Sequence, residues 1–264
     1  MIVLILFVFG LIFGSFVNAY VWRFKKRKNW VSERSICPNC KHVLHAKDLV
    51  PVLSWLSLRG KCRYCKKPIS AQYPAVELLT ALLFALSYAF WPYPLTLLGW
   101  LAFISWLGCL VVFMALLVYD LKWKLLPHKM VLPLTILASI LVTLLAILNS
   151  SWLGLFWSVV SGLVFFVIFW VLFQFSDGRW IGGGDVKMSY ALGLIAGSII
   201  NVFLLIFLAS VIGTFLVLPL LVSKKLNARS KIPFGPLLII ATIIVFLFGS
   251  QMIDWYTKTF LFMG

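Results

Sequence analysis

Two pairs of cysteines lie in one polar stretch of this 264-residue chain. Cys37 and Cys40 form one Cys-x-x-Cys pair, and Cys62 and Cys65 form a second after 21 intervening residues. Pairs with this spacing supply four thiolates around one tetrahedral Zn²⁺, each pair forming a tight turn about the metal. Four protein ligands leave no open position for water. The spacing therefore predicts a structural zinc site, and the alternative is two disulfides or free thiols.

The neighbouring residues bear on that choice. His42 and His45 can replace a cysteine as ligands, but solvated loop histidines are the simpler interpretation. Cys109, inside an apolar segment, is predicted to be a small core residue. Five basic residues favour the thiolate forms of the cysteines, namely Lys41, Lys61, Arg63, Lys66 and Lys67.

Two aspartates are the candidates for catalysis. Only seven residues are acidic, and among them Asp120 follows the apolar run 110–119. Asp185 follows Gly182, Gly183 and Gly184 at the start of another apolar segment. An ionisable group at membrane depth costs about 2.5–3.5 kcal/mol on insertion scales, so it is a functional candidate. Both aspartates are predicted at the same depth, near the inner face of a membrane.

A close pair of carboxylates suits peptide hydrolysis. Because two such groups cannot both ionise easily, one keeps a proton and the other acts as a base toward water. A helix N-terminus at Asp185 favours its ionised form, so Asp185 is the predicted base and Asp120 starts protonated. The three glycines lack Cβ atoms and are predicted to let an extended substrate approach. In the alternative, the aspartates form ion pairs with Lys122, Lys124, Arg179 or Lys187.

The segments that carry these residues are strongly apolar. Hydrophobic residues make up 63% of the chain and charged residues 11%, with a mean hydropathy of +1.06. In soluble domains about 45–50% of the residues are apolar and roughly 25% are charged, so a soluble globular enzyme is excluded. A spanning helix needs roughly 20 mostly apolar residues. The sequence predicts an all-α polytopic membrane protein with about eight such helices, at 2–20, 74–91, 95–119, 131–148, 152–175, 186–200, 202–222 and 233–253.

The basic residues predict the orientation of these helices. The formal net charge is +16, and 22 of the 23 Lys and Arg residues fall in 21–73, 120–130, 176–187 and 223–232. Only Lys258 lies on the other side. This asymmetry predicts that those four segments lie in the cytosol and that both termini lie outside. The predicted partners of the basic residues are therefore anionic lipids rather than nucleic acid. A reducing cytosol also disfavours disulfides between the cysteines.

Two regions are predicted. Residues 1–95 hold the first two membrane helices and a cytosolic four-cysteine zinc loop at 24–73. Residues 96–264 form a membrane-embedded region with both candidate aspartates.

Short motifs along nearly the whole chain resemble one family, the bacterial type IV prepilin peptidases, which are Gly-x-Gly-Asp aspartic proteases. The motifs are Gly14-Ser15-Phe16-Val17-Asn18, Arg34-Ser35-Ile36-Cys37-Pro38-Asn39-Cys40, Asp48-Leu49-Val50-Pro51, Gly60-Lys61-Cys62-Arg63-Tyr64-Cys65, Tyr73-Pro74-Ala75-Val76-Glu77, Leu126-Pro127, Gly182-Gly183-Gly184-Asp185-Val186-Lys187 and Ile232-Pro233-Phe234-Gly235-Pro236. One departure is His128, where the family commonly has an acidic residue.

The resemblance implies a bifunctional enzyme of the cytoplasmic membrane. Such enzymes cut the basic leader from type IV prepilins or pseudopilins and then N-methylate the new terminal residue with S-adenosylmethionine. The family's catalytic aspartates correspond to Asp120 and Asp185, and its zinc-loop cysteines to the four named above. No Gly-rich nucleotide loop on a βαβ unit is present in the sequence, so the site of the methyl donor is not predicted. The oligomeric state is not predicted either.

Glu77, in the second apolar segment, is predicted near the approaching substrate. Segment 21–73 carries 13 basic residues against Glu33 and Asp48 and should repel a basic leader. We expect Glu77, Asp177 or Glu33 to meet the leader instead. A buried structural ion pair is the alternative for Glu77.

Two other classes of protein compete with a protease. An ion-coupled transporter would place charged residues near the centres of its helices, whereas Asp120 and Asp185 lie at helix ends. A non-enzymatic zinc-loop adaptor would need the cysteines but neither aspartate.

Overall fold

The computed structural model describes residues 1–29, 34–223 and 233–261. Glu33 and the basic residues between 224 and 231 therefore lie outside the described residues. Within these ranges nine α-helices follow one another: α1 Ile2–Lys25, α2 Leu53–Ser57, α3 Gln72–Ala89, α4 Leu97–Trp123, α5 His128–Leu148, α6 Trp152–Phe175, α7 Gly183–Ala196, α8 Ile199–Val222 and α9 Gly235–Tyr256. The predicted all-α class is confirmed.

Six of these helices are long and apolar enough to cross a membrane, namely α1, α4, α5, α6, α8 and α9. A multi-pass helical membrane protein is confirmed, but the predicted count of eight spans is not. α7 has 14 residues, which at 1.5 Å per residue is about 21 Å against roughly 30 Å of hydrocarbon. α3 has 18 residues and includes the polar side chains of Gln72 and Glu77.

The chain forms two compact units. The first comprises Met1–Trp91 with Phe113–Val118, and the second comprises Pro92–Val112 with the described residues from Tyr119 onward. The predicted division at residue 95 stays a prediction.

In the first unit, α1 and α3 cross closely at two glycines. A Cβ atom on Gly10 would lie 2.4 Å from the Ala81 Cα, and one on Gly14 would lie 2.6 Å from the Glu77 Cα. Small residues four positions apart allow helix backbones to approach this closely in a membrane. One turn further on, the buried Asn18 amide donates to the Tyr73 carbonyl oxygen at 3.1 Å.

In the second unit, the short helix α7 lies in the middle and contacts α5, α6, α8 and α9. Its contact with α6 is tight, because a Cβ atom on Gly193 would lie 2.7 Å from the Ser161 carbonyl oxygen. The Ser161 hydroxyl donates to the Gly193 carbonyl oxygen at 2.7 Å. Protein therefore surrounds α7, and an apolar helix shorter than an ordinary membrane span is stable there.

Candidate active site and metal centre

Asp120 lies in the last turn of α4 and is 5% exposed. The helix ends at Lys124, whose φ of 52° is left-handed and whose N–H donates to the Asp120 carbonyl oxygen at 2.7 Å. The chain then runs through Leu126 to Pro127, which caps the N-terminus of α5. The end of α4 thus holds Asp120 beside a short, sharply turned connection.

Asp185 lies in the first turn of α7 and is 8% exposed. Gly182 is the N-cap, and the Asp185 N–H donates to its carbonyl oxygen at 3.0 Å. Among the described residues, the Asp185 Oδ1 atom has no hydrogen-bond partner. The positive end of the helix dipole stabilises a carboxylate at this position. A negative charge on Asp185 is therefore compatible with its burial.

The two carboxylates meet beside Gly235, the first residue of α9. A Cβ atom on Gly235 would lie 2.7 Å from Asp120 Oδ2 and 3.1 Å from Asp185 Oδ1. These two oxygens are therefore no farther apart than the sum of the two distances. Carboxylates this close, and this well buried, favour a state with one proton between them over a doubly ionised state. The structure thus brings the two predicted catalytic residues together, while their roles stay predictions.

The connection between α4 and α5 packs over this pair. A Cβ atom on Gly184 would lie 2.5 Å from the Leu126 Cβ, and Leu126 Cδ1 lies 3.2 Å from the Cβ position of Gly235. Gly184 is therefore in tight contact with Leu126. Next to it, a Cβ on Gly182 would come within 3.2 Å of Asp185 Oδ2.

The third glycine is less crowded. A Cβ atom on Gly183 would be in ordinary contact, 3.5 Å from the Phe173 ring. These contacts supply packing reasons for Gly182 and Gly184, and the predicted approach of a substrate at the three glycines stays a prediction.

Two described salt bridges lie elsewhere. They join Arg63 to Asp48 and Arg179 to Asp177, and neither includes the candidate catalytic aspartates. Asp177 is exposed in a turn with a φ of 48°, followed by Gly178 with a φ of 70°. Asp177 is therefore a turn residue.

The four cysteines of the loop form one cluster of sulfur atoms. All four Sγ atoms lie within 4.8 Å of one another, and those of Cys37 and Cys65 are 3.9 Å apart. Zn–S bonds of about 2.3 Å in a tetrahedron place the sulfurs about 3.8 Å apart. The cysteines are free rather than paired in disulfides. The spacing and chemistry of the donors fit Zn²⁺, so a four-cysteine cluster able to hold this ion is confirmed.

Both cysteine pairs lie in the same kind of backbone turn. The Lys41 N–H donates to the Cys37 carbonyl oxygen at 2.9 Å, and the Lys66 N–H donates to that of Cys62 at 3.0 Å. Lys41 and Lys66 have left-handed φ values of 62° and 58°. The two turns are equivalent, and each directs two sulfurs toward the cluster.

The thiols of the cluster differ in acidity. Burial raises the pKa of Cys37, but the N–H groups of Cys40 and Asn39 outweigh burial and lower this pKa to about 7. At Cys65 the Lys67 N–H lowers the pKa, while burial and the neighbouring thiols together raise it to about 11. The shifts are opposite because one thiolate makes a second thiolate beside it more costly. A divalent cation among the four sulfurs removes that cost.

A buried aspartate connects the second turn to the rest of the loop. The Asp48 side chain is 3% exposed, and it accepts hydrogen bonds from Arg63 Nε at 2.6 Å and from the Tyr64 hydroxyl at 2.9 Å. Burial raises the pKa of Asp48, but these two bonds and one from the His45 N–H outweigh it and hold the pKa below its usual range. The His42 ring packs against the Tyr64 ring, with centroids 3.6 Å apart and the ring planes tilted by 30°. His42 is therefore a packing partner of Tyr64 in the second cysteine turn.

Glu77 contacts the zinc loop through a backbone group. Its Oε2 atom accepts a hydrogen bond from the Val52 N–H at 2.7 Å, and the residue is 7% exposed. Val52 has a φ of 60°, which is costly for a β-branched side chain. Glu77 thus holds a strained turn at the start of α2. Its two hydrogen-bonding partners are the Val52 amide and the Ser15 side chain, and neither is basic. Its predicted place near the substrate stays a prediction.

Comparisons with known proteins decide the family. Residues 8–91 match the bacterial peptidase A24 N-terminal domain, and residues 106–218 match the type IV leader peptidase family. The prepilin leader peptidase/N-methyltransferase of Aeromonas hydrophila is 34% identical, covering 97% of this chain and 94% of its own length. The chain belongs to the type IV leader peptidase family. A relative with the same name from Bacillus subtilis (strain 168) is 33% identical over 96% of this chain and 97% of its own length. Another from Pseudomonas aeruginosa is 34% identical over 96% of this chain and 91% of its own length. No solved structure matches the chain.

Membership of the leader peptidase family confirms the resemblance drawn from the motifs. Sequence reasoning nevertheless missed residues that the structure places at the two sites. Gly235 and Leu126 lie in motifs of the resemblance but were not assigned to the aspartate pair. Val52 was not singled out at all. The two prolines that flank the Phe234-Gly235 step, Pro233 and Pro236, are a signal of a fixed helix start that could have drawn attention to Gly235.

Proposed function

We propose that this member of the type IV leader peptidase family is an aspartic endopeptidase of the cytoplasmic membrane. It removes the basic leader from type IV prepilins or pseudopilins and then N-methylates the new terminal residue. The observation that carries the proposal is the convergence of two buried carboxylates, Asp120 and Asp185, on one point. Nearly full-length similarity to prepilin leader peptidase/N-methyltransferases supplies the substrate class.

The pair works with one proton. The ionised carboxylate, assigned to Asp185, takes a proton from a water molecule whose oxygen attacks the scissile carbonyl carbon. The protonated carboxylate of Asp120 gives its proton to the carbonyl oxygen, forming a neutral tetrahedral intermediate. Collapse of this intermediate breaks the C–N bond, and the leaving amine takes a proton from Asp185. Asp120 regains its proton from the second hydroxyl group as the new carboxyl group forms.

The place of the pair suits a membrane-anchored substrate. Asp120 lies in the last turn of a 27-residue apolar helix, and Asp185 lies in the first turn of α7. A prepilin has an apolar helix directly behind its leader, so its cleavage point reaches the inner interface of the membrane. The charge asymmetry of the sequence supports a cytosolic active site with both termini outside, and anionic lipid headgroups are the proposed partners of the basic loop.

Methylation is the second half of the proposal. S-adenosylmethionine would donate the methyl group to the new terminal amine, and the described residues offer no nucleotide-binding loop that identifies its site. Zinc in the four-cysteine cluster would join two turns of the cytosolic loop and thereby order it. The oligomeric state of the enzyme is left open.

A cleavage assay tests the peptidase. The chain is produced in membranes together with a prepilin, as wild type and as Asp120→Asn, Asp185→Asn and Asp254→Asn. We expect both active-site variants to lose leader removal by at least about 10³-fold, because each removes one member of the acid–base pair. Asp254→Asn is the matched control, since this carboxylate is exposed near the end of α9.

The same assay separates the proposal from its rivals. A transporter or a zinc-loop adaptor would leave the leader on the prepilin in every sample, wild type included. Full cleavage by either Asp120→Asn or Asp185→Asn would rule out the catalytic pair. The mass of the processed N-terminus reports methylation, and an unmethylated product from the wild type would restrict the function to proteolysis.

A further inference from the structure

We infer that Gly235 is a positioning residue of the cleavage site, whose missing side chain lets both carboxylates lie against the start of α9. This inference rests on the proposed function, because it takes these two carboxylates to be the reacting groups. It adds a third chain segment, the start of α9, to the site formed by the end of α4 and the start of α7.

The backbone at this position does not require glycine. Positive φ values occur at Gly60, Gly178 and Gly197 among the described glycines, and Gly235 is not one of them. It is the first residue of α9, where alanine fits the backbone and is a better helix former than glycine. The reason for glycine must therefore lie in what surrounds the position.

The surroundings differ from those of the packing glycines. Gly10 and Gly193 face backbone atoms of a crossing helix, as expected where two helices touch. At Gly235 the two nearest atoms to an added Cβ are instead carboxylate oxygens, Asp120 Oδ2 at 2.7 Å and Asp185 Oδ1 at 3.1 Å. A methyl group here would displace the reacting groups rather than separate two helices.

An unpaired oxygen lies at the same place. Asp185 is more than nine-tenths buried, and its Oδ1 atom, which has no hydrogen-bond partner among the described residues, lies against Gly235. Buried acceptors are nearly always paired, so a donor belongs beside it. A water molecule or a substrate amide supplies that donor when the site is filled. A Cβ atom on Gly235 would move this oxygen and with it the donor that it holds.

Steady-state kinetics on a prepilin in detergent micelles test the inference. The variants are Gly235→Ala, Gly235→Val and, as the matched control, Gly108→Ala, whose Cβ would meet only the flexible Leu137 side chain, at 3.3 Å. We expect Gly235→Ala to lower kcat by about 10- to 100-fold with KM within about twofold, because a displaced carboxylate affects the reaction more than remote binding. Gly235→Val should be inactive, and Gly108→Ala should match the wild type.

Thermal unfolding separates catalysis from folding. Gly235→Ala should unfold close to the wild-type temperature, since the atom it displaces is the end of a side chain. If Gly235→Ala does not accumulate, the double variant Gly235→Ala/Leu126→Ala is measured instead. It removes the Leu126 side chain, the third group that crowds the added methyl group, and should accumulate without recovering activity.

Three results would overturn the inference: a wild-type kcat for Gly235→Ala, a change in KM alone, or loss of folding in both the single and the double variant. Asp120→Asn is measured in parallel. If that variant still cleaves, the proposed function itself has failed, whereas an inactive Asp120→Asn with a fully active Gly235→Ala rejects only the role of Gly235.

Discussion

Five cysteines of this chain occupy two different environments, and a single substitution distinguishes them. Cys40 supplies one of the four sulfurs of the four-cysteine cluster. Cys109 is instead a fully buried core residue of α4. We expect Cys40→Ser to lower the zinc content of the purified protein from one ion per chain to well below one, because three thiolates bind Zn²⁺ less tightly than four. Elemental analysis after dialysis against a weak chelator is the measurement.

Cys109→Ser is the matched control and should keep its zinc. It places a hydroxyl in an apolar position, so a slightly lower unfolding temperature is the expected cost. Equal zinc contents in Cys40→Ser and the wild type would contradict the cluster as a metal site.

At the same scale, Asp48 shows how one carboxylate organises a basic loop. Its three donors are Arg63, Tyr64 and the backbone N–H of His45. Because the side chain is almost fully buried, each of these bonds is shielded from water and holds the second cysteine turn in place. The single acidic residue described in the loop thus has a structural partner of its own, which leaves it unavailable to a basic leader.

At the scale of elements, α3 is connected to the zinc loop by Glu77. The Glu77 carboxylate holds the N–H of Val52, whose backbone is strained. We expect Glu77→Ala to open the loop, because a buried N–H left unpaired costs about 1–3 kcal/mol. Limited trypsin digestion of the lysine-rich loop in membranes should then proceed about 5- to 100-fold faster.

Glu77→Gln distinguishes anchoring from a charge-based role. Its amide oxygen can still accept the Val52 N–H, so the loop should resist trypsin like the wild type. Val52→Gly removes the strain and should partly suppress the effect of Glu77→Ala. If Glu77→Gln keeps the loop closed but impairs prepilin cleavage, the charge meets the leader as the sequence predicts. Equal digestion of Glu77→Ala and the wild type would contradict the anchor.

The length of α7 differs from the length predicted for a membrane span. α7 is predicted from its hydropathy as a span, yet it ends after 14 residues at Gly197, whose φ is 75°. Its apolar side chains face four neighbouring helices rather than lipid. Burial inside protein and burial in a bilayer select the same side chains, so hydropathy cannot separate them.

At the scale of the whole molecule, the topology decides on which side each connection lies. If α3 and α7 both complete a crossing, as the eight-helix prediction requires, the starts of α4 and α8 face outward. We therefore expect a membrane-impermeant maleimide to label Leu97→Cys and Ile200→Cys in intact cells. Both positions are well exposed, at 80% and 64%. Lys47→Cys, in the zinc loop, should be labelled only after the membrane is opened.

The opposite pattern has a defined meaning. If Leu97→Cys is labelled only in opened membranes, α3 returns to the zinc-loop side without crossing. The same result at Ile200→Cys would make α7 a re-entrant helix. In either case the basic residues would need a different division between the two faces of the membrane.

The sequence by itself determined that this protein lies in a membrane and which of its residues could do chemistry. A mean hydropathy of +1.06 requires a membrane, because so much apolar surface has no other stable environment. The two Cys-x-x-Cys pairs predicted the sulfur cluster, since each turn about the metal is local and needs only a few residues. The scarcity of acids drew attention to Asp120 and Asp185, and the motifs around them identified the family.

Only the tertiary structure decided how distant residues meet. It placed Asp120 and Asp185 beside Gly235, Leu126 against Gly184, and Glu77 against the Val52 amide. It also separated the six helices long enough to span from two that are shorter or more polar. These outcomes depend on which helix faces touch and where each helix ends. Hydropathy along a chain records how apolar a segment is, but it does not record the direction in which its side chains point.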